Sequence, residues 1–126
     1  MVKSFAQAFS KACRFLGQRP TSLSAESEIF MVKHVLMIKL KDNSKEQCEK
    51  LRDLFMTMKG RVPQALDVEA GADFLHSERS FDVCLTVTLE SPEALEEYQK
   101  DPYHCNTVKT YVATVREKAV AVDYIV

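Results

Sequence analysis

Three stretches of this chain alternate side chains with a period of two, and that limits its fold more than any other feature. In residues 32–41, Val32, His34, Leu36, Ile38 and Leu40 fall on one side, and Lys33, Val35, Met37, Lys39 and Lys41 on the other. In residues 81–90, Phe81, Val83, Leu85, Val87 and Leu89 oppose Asp82, Cys84, Thr86, Thr88 and Glu90. In residues 118–126, Val120, Val122, Tyr124 and Val126 share a side. An extended strand sorts its residues this way, because successive side chains point to opposite faces. Residues 66–70, closed by Gly71, read as a further strand.

The intervening segments have helical spacing. Ser44 caps a helix with Gln47 completing a capping box, and Cys48, Leu51, Leu54, Phe55, Met58 and Val62 form its apolar stripe. Gly60 and Pro63 mark its end. Ser91-Pro92-Glu93 starts a second helix by cap, proline and acid near the dipole. Pro102 pushes Asp101 out of the helical region and breaks that helix. Asp101 then caps a short third helix with Val108, Tyr111, Val112 and Val115 apolar. The order is strand, helix, strand, strand, helix, strand. This predicts an α+β, ferredoxin-like βαββαβ fold, a four-stranded antiparallel sheet with helices on one face. The open face is expected to show Val35, Met37, Cys84, Ala119, Ala121 and Ile125. So much uncovered apolar surface predicts a homodimer packed through that face.

Residues 1–30 are a different kind of segment. Up to residue 25 they carry Lys3, Lys11, Arg14 and Arg19 and no acid, whereas residues 31–126 hold 13 basic and 16 acidic residues. Phe5, Phe9, Ala12, Cys13 and Leu16 recur at helical spacing, which predicts an extra N-terminal amphipathic helix followed by a polar linker. Three readings stay open: a docked helix, a transit peptide directing the protein to an organelle, or a stretch upstream of a start at Met31. Residues 31–126 are expected to form the domain.

The net charge of −1 favours neither nucleic acid nor an anionic membrane. No apolar run approaches the roughly 20 residues of a spanning helix. The four cysteines (Cys13, Cys48, Cys84, Cys105) have no CxxC spacing, and read as reduced thiols of a cytoplasmic protein. There is no phosphate loop, no nucleophile elbow and no metal-ligand cluster, so neither a metal nor a cofactor is expected.

The run from Met31 to Leu36, Pro63, Gly71, the run from Glu90 to Leu95, the run Tyr98-Gln-Lys-Asp-Pro-Tyr-His104 and the triplet Val122-Asp-Tyr124 occur in an order that resembles the stress-responsive α/β-barrel family, Dabb. The resemblance covers residues 31–126. It implies a dimeric α/β barrel. It leaves activity open, since the family includes stress-associated oligomers and, in one plant branch, polyketide cyclases. By resemblance to that branch, His104 and Tyr98 match the catalytic His and Tyr, and His34 matches a pocket-lining His. Two matching positions differ: Val83 stands where that branch has a further His, and Phe55 where it has a Tyr.

A cofactor-free cyclase or lyase would act on a polyketide-like or other carbonyl substrate, with His104 as base and Tyr98 donating to the developing oxyanion. The Asp101-Pro102 break would let both reach one cleft, lined also by His34 and Leu36. The leading reading is a homodimeric Dabb barrel with a small apolar pocket and no assigned activity; the cyclase or lyase and a purely structural stress-associated oligomer are its alternatives. Buried, satisfied histidines would fit the structural one.

Overall fold

A computed structural model describes residues 31–126. The expected N-terminal helix and linker lie outside the described residues. The elements are β1 (Val32–Leu40), α1 (Lys45–Met56), β2 (Ala65–Ala72), β3 (Val83–Leu89), α2 (Pro92–Lys100), a π-helical segment (His104–Lys109), α3 (Thr110–Val115) and β4 (Arg116–Ile125). The sheet is antiparallel in the order β2-β3-β1-β4. Helices cover one face, as the βαββαβ pattern predicts.

Local chemistry accounts for the boundaries. Ser44 Oγ accepts from the Gln47 N–H at 3.4 Å, the first half of a capping box. The other half differs from expectation: the Ser44 N–H donates to Asp42 Oδ1 at 3.1 Å. Helix α1 closes at Met56, and Gly60 takes the left-handed φ of 84° in the turns that follow. Met58 and Val62 lie past the helix end yet are fully buried with Leu51 and Phe55. At the start of α2, Ser91 Oγ accepts from the Ala94 N–H at 3.1 Å.

Strand β3 is shorter than its alternating run. Asp82 lies outside it, buried, and its Oδ2 accepts the Leu40 N–H at 2.8 Å where β1 shifts register against β4. A bulge frees that backbone donor, and a buried donor needs a partner.

Strand β4 corrects one expectation. Residues paired across an antiparallel ladder share a face. Val120, Val122 and Tyr124 pair with Met37, Val35 and Lys33, so they lie on the open face. Ala119, Ala121 and Ile125, expected there, pair with Ile38, Leu36 and Val32 and point to the helix side. The open face therefore carries Val35, Met37, Cys84, Val120, Val122 and Tyr124. Alternation says which residues go together. The side each set takes depends on register with a strand some 85 residues away.

Candidate functional site

The inner faces of β1 and β3 meet the helices over a core that includes Ile38, Leu51, Phe55, Leu85 and Val87. The cover is incomplete where α2 ends. Asp101 has ψ 133°, the extended setting that a following proline demands. Its Oδ2 accepts the His104 N–H at 3.0 Å and its carbonyl accepts the Cys105 N–H at 2.8 Å. One residue thus stops α2 and starts the next helix, as its spacing predicted. From His104 that helix runs as a π-helical segment, the wider turn that recurs at functional sites.

A cavity of about 410 Å³ lies beside this break. His34 and Leu36 reach it from β1, Leu85 from β3 and Phe55 from α1. Gln99 comes from the end of α2, and His104, Val108, Lys109, Val112, Ala113 and Arg116 from the chain beyond. The volume falls in the range of small-molecule sites. His34, Leu36 and His104, expected at a pocket between helices and sheet, all line it.

Both histidines are nearly buried and both are tied down at Nδ1. His104 Nδ1 lies 3.0 Å from the carbonyl oxygen of Tyr98. A carbonyl only accepts, so the proton sits on Nδ1 and the lone pair on Nε2. Burial lowers the His104 pKa most, with Lys109 and His34 adding to that. The bond to Tyr98 and the Asp101 charge pull the other way. Desolvation is thus the main cause that favours the neutral imidazole. His34 Nδ1 donates to Asp123 Oδ1 at 2.5 Å, which leaves His34 with the same tautomer. Among the described residues neither Nε2 has a hydrogen-bond partner, and both rings line the cavity.

Tyr98 is not where a substrate donor would stand. Its ring stacks on His104, with centroids 4.2 Å apart, and meets the His34 ring edge-on at 5.7 Å. Its hydroxyl, however, points into the core and donates to Met58 Sδ at 3.7 Å. The residue is fully buried and does not line the cavity, and desolvation, helped by the Asp101 charge, raises its pKa. Tyr98 therefore acts as a wedge that sets the two imidazoles, and the expected oxyanion-donor role has no geometric basis. Phe55 presents to the cavity a ring without a hydroxyl, and Val83 is buried off its wall.

Asp123 was missed as a site residue, as were Gln99, Lys109 and Arg116. For Asp123 a signal existed. It is the one acid in the period-two set Ala119, Ala121, Asp123 and Ile125, and it falls directly across from His34 once β4 is in register. His76 is exposed in the β2–β3 connection beside Asp73, and no cluster able to hold a metal occurs among the described residues.

The profile of the Stress responsive A/B Barrel Domain, Dabb, matches residues 32–126. The chain belongs to the Dabb family. A comparison with curated proteins finds no match. Among solved structures, this Dabb domain is similar to a dimeric ferredoxin-like protein of unknown function from Thermobifida fusca, at 18% identity over 79% of this chain and 93% of that one, TM-score 0.68. It is similar to a protein from Arabidopsis thaliana at 27% identity over 74% and 92%, TM-score 0.63. A hydroxynitrile lyase from Passiflora edulis shares the fold at 16% identity over 77% and 94%, TM-score 0.57.

Proposed function

We propose that this Dabb protein is a homodimeric barrel that takes a small carbonyl compound into the cavity of each subunit and moves protons at it without a cofactor. The observation that carries this reading is the pair of imidazoles on one apolar wall, each with its proton held at Nδ1. His104 Nε2 is the base. It removes a proton from the carbon next to the carbonyl, leaving the electron pair as an enolate. The enolate carbon attacks a second carbonyl in a ring closure, or is reprotonated. The proton taken by His104 returns to the new alkoxide oxygen or to the carbon, and the Nε2 lone pair of His34, its ring oriented by Asp123, serves as a second base. General-base catalysis of this kind contributes about 10²–10⁴-fold. A purely structural oligomer has no use for two such ring nitrogens in one cavity.

The dimer forms through the open sheet face, where Met37, Val122 and Tyr124 are exposed in the single chain. The dimeric state of the Thermobifida fusca relative supports this. No helix among the described residues is long and apolar enough to cross a membrane, and Cys48, Cys84 and Cys105 are unpaired thiols. Both accord with a cytoplasmic location.

Deuterium incorporation at the methyl group of acetophenone in heavy water, followed by NMR, tests the chemistry. The protein should accelerate exchange over buffer, and His104→Gln should remove most of the acceleration. Exchange no faster than in buffer, or unchanged in the variant, removes the proton-transfer reading.

A further inference from the structure

We propose that the cavity selects a small amphipathic carboxylate, apolar body inward and carboxylate at the mouth, with Lys109 and Arg116 as the specificity-determining residues. This deepens the reading above, since it names a substrate class for the same cavity.

The cavity wall is ordered by depth. Phe55, Leu85, Val108, His34 and His104 are buried, and Leu36 and Val112 are half-buried, so the inner part is mainly apolar. Ala113, Lys109 and Arg116 are exposed and mark the mouth. Among the described residues both charged side chains on the wall are cationic, and no Asp or Glu lines it. Two carboxylates close to the wall are engaged, Asp123 by His34 and Asp101 by the His104 N–H.

The two cations come from different elements. Lys109 ends the π-helical segment, and its Nζ lies 3.4 Å from the Gln99 carbonyl at the end of α2. A helix C-terminus presents unsatisfied carbonyls that hold a cation in place. Arg116 opens β4, and its backbone N–H donates to the Val112 carbonyl, which fixes where its side chain departs. An arginine can meet a carboxylate through two parallel N–H···O bonds.

A neutral apolar ligand would bury its body here and leave both cations without use. A strongly polar ligand would strip water from Leu36, Phe55 and Val108 to no gain. An acid with an apolar body satisfies both ends. It also places any carbonyl along that body beside the two imidazoles.

Calorimetric titration with octanoate and with octanamide, at pH 7.5 and 50 mM salt, tests the proposal. The probes share a chain and differ in charge. Octanoate should bind about tenfold more tightly, the scale of one or two partly solvated ion pairs. Raising salt to 500 mM should shrink that gap. In the double variant Lys109→Met, Arg116→Met, which keeps the apolar stems, the gap should close while octanamide affinity stays unchanged and reports an intact fold. Equal affinity of the two probes for the native protein overturns carboxylate selection but leaves the cavity as a binding site. A preference that survives the double variant overturns the assignment to Lys109 and Arg116. If neither probe binds, the cavity reading falls and this proposal falls with it.

Discussion

The two faces of β1 have the same backbone and opposite fates. On the inner face Val32, Ile38 and Leu40 are buried, and the polar member, His34, has its partner in Asp123. On the outer face Lys33 donates to Thr88 at 2.8 Å, while Val35 and Met37 sit in an apolar stripe with Cys84, Val120 and Val122. The inner face finds its complement within the chain. The outer stripe finds none among the described residues. One strand thus serves stability and the site with one set of side chains, and association with the other.

Several substitutions would break or sharpen that contrast. The largest effect is expected in the core that packs on the inner face. Phe55→Ala should cost about 3–5 kcal/mol of stability, the range for emptying a buried aromatic site, seen as a lowered urea midpoint. A cost below 1 kcal/mol would mean that the core collapses freely around the cavity.

The outer face should answer differently. Met37→Glu places a carboxylate at the centre of the proposed dimer interface, where an unpaired buried charge costs several kcal/mol. Sedimentation at micromolar concentration should then show a folded monomer. A dimer as tight as the native one would locate the interface elsewhere.

Asp123→Asn probes the link between β4 and β1. An amide can donate to His34 Nδ1 and so impose the wrong tautomer, which silences a base without moving it. Acetophenone exchange should fall by about tenfold or more while the urea midpoint hardly shifts. Unchanged exchange would make His34 a spectator.

The smallest effect is the pH dependence of stability. Burial holds the His104 pKa below 6.5 in the fold, so the unfolded chain takes up the proton first as pH falls. Stability contributed by neutral His104 is complete above about pH 6.5, declines as pH drops towards the folded value, and is flat below it. The slope cannot exceed about 1.4 kcal/mol per pH unit for one proton. Urea midpoints at pH 7.5, 6.5 and 5.5 should show the decline in the native protein and a flatter profile in His104→Gln.

Much of this protein is written in local pattern. Alternation in β1 and β3, the serine caps at Ser44 and Ser91 and the Asp101-Pro102 break are each set by steric and hydrogen-bonding rules acting within a few residues. Element order followed from them, and so did the placement of His34, Leu36 and His104 beside a gap in the helical layer. Three features were decided only by tertiary contact. The side of the sheet taken by Val120, Val122 and Tyr124 depends on the register of β4 against β1. The orienter of His34 lies 89 residues away in Asp123. The direction of the Tyr98 hydroxyl depends on a sulfur 40 residues back, at Met58. Short-range rules fix which residues travel together. Where a set lands, and which buried polar atom meets which, is settled by packing between segments that only the folded chain brings into contact.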